Sequence, residues 1–178
     1  AVPTASTVNY GTGGVVANAI MAALDANGRV CLYTSADVDL VVDVSGSFPV
    51  GSTSVPVAPV RLLETRTGSG LSTVDGQFLG IGKRQIDTVT QVQIGGRAGL
   101  PATASSAVLN LTVTGPTGPG FVTVFPCAAG RPNAASINFV AGQTVANLVV
   151  ADLDAAERLC LYTMVPTDLI IDVVTVQR

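Results

Sequence analysis

Histidine and tryptophan are absent from this chain, and charged residues make up only 12% of it. Without histidine, the chain lacks the most common general base and metal ligand, so a Ser-His-Asp arrangement and an imidazole zinc site are impossible. Lys83 is the single lysine and the net charge is −3, which gives no basic surface for nucleic acid. No apolar run reaches the roughly 18 residues of a membrane helix. We therefore expect no catalytic residue, cofactor or metal, no nucleic-acid partner and no membrane insertion.

What the chain does contain is an internal repeat. Residues 3–44 (the N-terminal copy) align with residues 132–173 (the C-terminal copy) at a constant offset of 129. The 42 aligned positions need no gap and include 20 identities. Ala17-Asn18 recurs as Ala146-Asn147, and Cys31-Leu-Tyr-Thr34 recurs as Cys160-Leu-Tyr-Thr163. A repeat at fixed spacing indicates modular architecture.

The stretch between the two copies, roughly residues 59–131, occurs once. The chain is therefore predicted to hold a partial repeat at 1–48, the second half of a unit, and one complete unit at 59–178. Three prolines between them, in residues 48–59, predict an extended linker at 49–58.

Alternation of apolar and polar residues with a period of two dominates the sequence and predicts an all-β fold. Short strands separated by Gly, Pro, Asn or Asp turns are typical of an antiparallel β-sandwich, Ig-like or jelly-roll-like. Strands are predicted near 6–10, 15–24, 29–35, 38–45, 84–94, 105–115, 120–127, 136–140, 145–153, 158–164 and 167–176. Asp25-Ala-Asn-Gly28 suits a tight turn, whereas Asp154-Ala-Ala-Glu157 lacks glycine and is expected to turn differently.

The chain has three cysteines, and the repeat indicates which one is left over. A disulfide between Cys127 and Cys160 would join the two halves of the complete unit. Cys31 occupies the place of Cys160, but the N-terminal copy has no counterpart of Cys127, so we expect Cys31 to be unpaired or intermolecular. The alternative is that all three are buried free thiols, since free cysteine packs well as a small apolar residue.

The N-terminal copy is predicted to carry an apolar face that needs a cover. It could dock on its own chain or on a neighbouring subunit, or the chain could be a piece of a longer tandem array. We expect docking on a neighbour, which would give a head-to-tail polymer of self-associating chains.

Several polar and aromatic residues allow weaker interpretations. Arg61 and Arg66 flank Glu64, and internal salt bridges are a simpler explanation than ligand capture. Asp39, Asp43, Asp168 and Asp172 are expected to form an outward charged face. Tyr33 and Tyr162 are the best candidates for a sugar platform, although the chain has only eight aromatic residues.

The order of motifs resembles a repeat module of large secreted cell-surface proteins of actinobacteria and similar filamentous bacteria. The motifs that carry the resemblance are Arg61-Leu-Leu-Glu-Thr-Arg66, Gly120-Phe-Val-Thr-Val-Phe-Pro-Cys127, Arg131-Pro132, Gly142-Gln-Thr-Val-Ala-Asn147, Cys160-Leu-Tyr-Thr163 and Asp168-Leu-Ile-Ile-Asp-Val173. The resemblance implies an extracellular β-rich module found in tandem, without assigned catalytic residues. Glu64 stands where the family has aspartate, and Val174-Thr175 replaces the Gly-aromatic pair before the next linker, which predicts that the array ends here.

Together these observations predict a non-enzymatic, extracellular structural protein of the cell surface or cell wall. It would be a subunit of a filament, sheath or layer that uses the N-terminal copy for inter-subunit β-packing. The alternative is a carbohydrate-binding or adhesive module with cell-wall polysaccharide as its partner.

Overall fold

The computed structural model of the chain describes residues 6–14, 16, 18–42, 47 and 53–178. Within these residues it contains β-strands and no helix. The strands are β1 (Ser54–Glu64), β2 (Thr88–Gln93), β3 (Ser106–Thr114), β4 (Gly120–Pro126), β5 (Ile137–Phe139), β6 (Thr144–Asp152), β7 (Arg158–Thr163) and β8 (Asp168–Gln177). Strands β2 to β8 lie where the alternating pattern predicts them, although β2 is shorter than expected.

The strands form two four-stranded antiparallel sheets. The first sheet has the order β1-β8-β3-β6, and the second has the order β2-β7-β4-β5. The predicted all-β antiparallel sandwich is therefore confirmed. Its finer assignment as Ig-like or jelly-roll-like stays a prediction.

The core of the sandwich follows the predicted alternation along each strand. On β3, Leu109, Leu111 and Val113 are fully buried, and on β8 the same holds for Leu169 and Ile171. Burial of each such side chain contributes about 1.5–3 kcal/mol relative to leaving it in water. The apolar pattern of the sequence therefore accounts for the main source of stability.

The two halves of the complete unit are interleaved strand by strand. Every ladder joins one strand of β1–β4 to one strand of β5–β8: the pairs are β1 with β8, β2 with β7, β3 with β6 and β8, and β4 with β5 and β7. Within the described chain, no ladder joins two strands of the same half. The strands of the second half, which is the repeated one, therefore never pair with one another.

This interleaving explains the conformation of the N-terminal copy. Strands were predicted there, but the described residues between 6 and 42 form turns, bends and irregular segments without a strand. A strand needs a hydrogen-bonded neighbour, and every neighbour used by the C-terminal copy comes from β1–β4. The four predicted N-terminal strands are thus wrong for the described residues; parts of 15–24 and 38–45 lie outside them.

The predicted linker at 49–58 also differs from the structure. Strand β1 begins at Ser54 and pairs with the end of β8, so its first residues lie inside that span. Proline at an edge strand is tolerated, and β1 is an edge of the first sheet. Residues 48–52 lie outside the described residues.

Candidate functional site in the N-terminal copy

The predicted Cys127–Cys160 disulfide is present in the structure, with the two Cα atoms 4.9 Å apart. Cys127 directly follows β4 and Cys160 lies in β7, and these strands are neighbours in the second sheet. The bond therefore joins the once-occurring half of the unit to the repeated half. It fixes two strands that belong to different halves of the sequence.

Cys31 is free and exposed, whereas its counterpart Cys160 is buried. The alternative of three buried free thiols is therefore wrong. The difference arises because Cys160 packs beside β4, and no such strand lies next to Cys31 among the described residues.

The turn after the sixth strand of the unit is built in the same way in both copies. In the N-terminal copy the Asp25 carboxylate accepts hydrogen bonds from the backbone N–H groups of Asn27 and Arg29 and pairs with the Arg29 guanidinium at 2.9 Å. Asp154 makes the same three contacts 129 residues later, including a 2.9 Å pair with Arg158. These bonds hold the pKa of both carboxyl groups below the usual range, chiefly through the arginine that each one binds.

The expectation that the second turn is built differently was wrong. Glu157 adopts a φ of 60° at the position where the first turn has Gly28, with a φ of 73°. The Asp-centred hydrogen bonds are strong enough to keep a glutamate in a left-handed conformation that normally costs about 1–2 kcal/mol. The repeat thus specifies the turn more firmly than the glycine does.

Replacing Glu157 with glycine is expected to raise the free energy of unfolding by about 1 kcal/mol, because glycine adopts the left-handed conformation without strain. Urea titration of the Glu157→Gly variant measures this. Ala156→Gly is the matched control: Ala156 has no positive φ, so glycine there only adds flexibility and should lower stability by about 0.5–1 kcal/mol. Equal effects from the two changes would contradict the explanation.

The apolar residues of the N-terminal copy are exposed at positions where the C-terminal copy forms the core. Leu32 is 53% exposed and Leu40 is 55% exposed, whereas their counterparts Leu161 and Leu169 are fully buried. The same contrast holds for three further pairs: Ile20 with Val149, Val30 with Leu159, and Val42 with Ile171. We call Ile20, Val30, Leu32, Leu40 and Val42 the uncovered face. By sequence position it corresponds to the part of the core that the C-terminal copy supplies to the complete unit.

The N-terminal copy is nevertheless docked on the complete unit by polar contacts. The Asn18 amide donates to Asn110 Oδ1 at 2.9 Å, and Asn18 Oδ1 accepts from the backbone N–H of Leu148 at 3.1 Å. The Asn110 amide in turn donates to the carbonyl of Ser6 at 2.6 Å. Asn110 lies on the outer face of β3, and Leu148 lies on β6, the edge of the first sheet. These contacts leave the uncovered face exposed.

A buried charge cluster lies on the same outer face of the first sheet. Arg61 binds Asp172 at 2.8 Å and Glu64 at 3.2 Å, and Arg66 binds Glu64 at 2.7 Å. Internal salt bridges by Arg61 and Arg66, the simpler prediction, are present. The outward charged face is wrong at Asp172, which is buried, and burial raises the pKa of its carboxyl although Arg61 opposes the rise.

The two tyrosines proposed as a sugar platform differ in their surroundings. The guanidinium of Arg131 lies 3.9 Å from the centre of the Tyr162 ring, and Phe121 packs at 5.9 Å. The Tyr162 hydroxyl donates to Asp87, which raises the pKa of the phenol. Arg131 thus covers one face of the Tyr162 ring against sugar stacking, whereas Tyr33 is 68% exposed.

The described residues bring no group of three or more His, Cys, Asp or Glu side chains together as metal ligands. In the same part of the chain, no helix has the length and apolar character needed to span a membrane.

Two residues that hold the docked N-terminal copy, Asn110 and Leu148, escape sequence analysis. Asn110 looks like an ordinary polar residue in an alternating strand, and Leu148 acts through its backbone. Their partners are 92 and 130 residues away, so no local pattern points to them. The only available signal was the recurrence of Asn18 as Asn147. Comparisons with protein-family models, curated proteins and solved structures find no match to this chain.

Proposed function

We propose that the protein is an extracellular structural subunit that assembles with copies of itself into a cell-surface filament, sheath or layer. The N-terminal copy makes the contact between subunits. The single observation that carries this proposal is the uncovered face, whose residues have counterparts in the core of the complete unit. Exposed apolar patches of this kind on a folded chain are typical of interaction surfaces.

The interleaved ladders indicate what kind of partner the N-terminal copy needs. Each strand of the C-terminal copy is hydrogen-bonded to strands from outside its own half. The N-terminal copy therefore needs both apolar contacts and a neighbouring backbone with free N–H and C=O groups. The sandwich offers such backbone at its sheet edges, which are β1 and β6 in the first sheet and β2 and β5 in the second. Addition to an edge strand of a neighbouring subunit satisfies both needs.

Simple exchange of halves between chains does not cover the face. Each chain has two copies of the repeat and one copy of the stretch at 59–131. If an N-terminal copy replaced the C-terminal copy of a neighbour, the apolar residues of the displaced C-terminal copy would be exposed instead. We therefore favour addition to an edge, and because the N-terminal copy and a sheet edge are different surfaces, repeated contacts build an open head-to-tail polymer.

Three observations support an extracellular location. The Cys127–Cys160 disulfide requires an oxidising compartment to persist. The charged fraction of 12% is about half the usual share, which suits an array protein. The order of motifs resembles modules of secreted cell-surface proteins, and that resemblance stays a prediction.

The test is assembly of the wild-type chain and of Leu32→Asp with Leu40→Asp. The wild type is expected to sediment as species that grow with concentration and to form ordered polymers in electron micrographs. The double variant should stay monomeric, because two carboxylates on the uncovered face would have to be desolvated. Both changed side chains are exposed, so the complete unit keeps its fold.

Val41→Asp is the matched control. Val41 is 89% exposed, more than Leu32 or Leu40, but its counterpart Ile170 lies outside the core cluster of the complete unit. This variant should still assemble if the contact uses the uncovered face. Loss of assembly in both variants would mean that the chains associate through non-specific apolar contacts and not through the uncovered face. A wild-type monomer at millimolar concentration would overturn the proposal, and a closed dimer would overturn its head-to-tail form.

A further inference from the structure

The groups that dock the N-terminal copy have counterparts on the complete unit. Asn18 is held in place by a hydrogen bond from its amide to the carbonyl of Thr7, at 2.8 Å. At the same offset of 129 residues, the amide of Asn147 donates to the carbonyl of Ser136, at 2.9 Å. Each asparagine therefore makes the same contact within its copy. The contact joins the β6 residue Asn147, or its counterpart Asn18, to the residue that precedes β5, or to the counterpart of that residue.

In the N-terminal copy this arrangement is used for docking. From this position Asn18 reaches Asn110 and the backbone N–H of Leu148, while Ser6 offers its carbonyl to Asn110. Three hydrogen bonds thus fasten the N-terminal copy to the first sheet.

In the C-terminal copy the equivalent residues are exposed. Asn147 is exposed on β6, and Ala135, the counterpart of Ser6, is exposed just before β5. Within the described chain, Asn147 Oδ1 and the carbonyl of Ala135 make no hydrogen bond, and the Asn147 amide has a second proton beyond the one given to Ser136. We call Ala135, Ser136 and Asn147 the β5–β6 edge.

We propose that the β5–β6 edge is a second docking surface, which binds the outer face of the first sheet in another copy of this chain. Asn147 would take the place of Asn18 against the partner's Asn110 and Leu148, and the carbonyl of Ala135 would take the place of Ser6. The occupant is fixed by the contact already present within the chain, because the same donors and acceptors match the same face. This surface is distinct from the uncovered face and does not depend on the assembly proposed above.

Each chain covers its own Asn110 with its own Asn18, so the two edges compete for one face. The contact within the chain has the advantage of high effective concentration. In the wild type the contact between copies therefore forms only when Ser6 and Asn18 leave the face. Adding the same contact repeatedly would stack complete units in one direction, since edge and outer face are different surfaces.

The test mixes two full-length variants that can meet in one way only. All chains carry Leu32→Asp and Leu40→Asp, so that the uncovered face takes no part. The edge donor also carries Asn110→Ala, which removes its receiving face, and Asn18→Ala, so that its N-terminal copy cannot take the same position on the partner. The face donor also carries Asn18→Ala and Asn147→Ala. The first removes both hydrogen bonds of Asn18 to its own face, and the second removes its own edge.

The two variants are expected to form a one-to-one complex in sedimentation velocity, whereas neither associates alone. Adding Asn147→Ala to the edge donor should weaken the complex about tenfold or more, because two hydrogen bonds are lost. In NMR spectra of the face donor, the Leu148 amide should shift when the edge donor is added. Asn110→Thr replaces Asn110→Ala if the alanine variant does not fold.

Equal binding with and without Asn147, or no shift at Leu148, would overturn the inference. Neither outcome bears on the proposed assembly, which is blocked in every chain of this experiment. Conversely, if the wild type formed no polymers, the complex between the two variants would still be expected.

Discussion

Replacing Arg97 with alanine is expected to lower the free energy of unfolding by about 3 kcal/mol, the upper end of the cost of leaving a buried acceptor without its donor. Arg97 is only 5% exposed and binds both carboxylate oxygens of Asp75, at 2.8 and 2.7 Å. Its guanidinium also donates to the backbone carbonyls of Leu62 and Gln93, and it lies 5.1 Å from the centre of the Phe78 ring. Alanine would leave the carbonyl of Leu62 without its donor in the interior, whereas Asp75 stays accessible to solvent.

Urea unfolding of the wild type and of Arg97→Ala measures the effect. Arg29→Ala is the matched control, because Arg29 binds Asp25 through the same two kinds of nitrogen but at the surface. The Arg29 side chain is 71% exposed, so solvent screens the pair and its loss should change stability far less. Similar losses in the two variants would show that burial does not decide the strength of these pairs.

The contribution of Arg97 should also depend on pH. The hydrogen bonds from Arg97 hold the pKa of Asp75 below its usual 3.8. Because the pKa of Asp75 is lower in the folded state, its ionised carboxylate stabilises the fold at pH values above the unfolded-state pKa. This stabilisation is lost as the pH falls through the folded-state pKa. The difference in the free energy of unfolding between wild type and Arg97→Ala should therefore be constant above about pH 5 and should become smaller below pH 3.8. The Asp172 carboxyl has the opposite effect on the pH dependence of stability, because burial raises its pKa.

The sequence predicts the faces of strands better than their partners. A period of two shows which side chains of β3 and β8 enter the core, because alternate residues must point to opposite faces. It carries no information on which strand lies beside which. The strict pairing of β1–β4 with β5–β8 is therefore absent from the pattern, and strands were assigned to the N-terminal copy as though a copy could form a sheet by itself.

The repeat predicts a different part of the site. It indicated that Cys31 is the cysteine left over, and it marked Asn18 and Asn147 as equivalent. It could not indicate that Asn110 receives Asn18, because that contact joins the copy to the stretch that occurs once. Arg97 shows the same limit: it lies in a glycine-rich loop, and only the folded chain brings it to Asp75, 22 residues away.

Removing the disulfide with Cys127→Ala and Cys160→Ala is expected to lower the free energy of unfolding by about 3–4 kcal/mol. The bond closes a loop with a sequence separation of 33, and opening that loop increases the conformational freedom of the unfolded chain. It also ties β4 to β7, which belong to different halves of an interleaved fold. Loss of the bond therefore removes a covalent cross-link between two halves that have no strand pairing within themselves.

Cys31→Ala is the control, because Cys31 is exposed and free, and its removal should leave stability unchanged. Alkylation of the folded protein without reductant should modify one cysteine, and peptide mass spectrometry should place the label on Cys31. A label on Cys127 or Cys160, or equal stability of the double variant and the wild type, would contradict the assignment. The two copies of one short motif then differ in chemistry for a single reason: Cys160 has β4 beside it, and Cys31 has no such strand among the described residues.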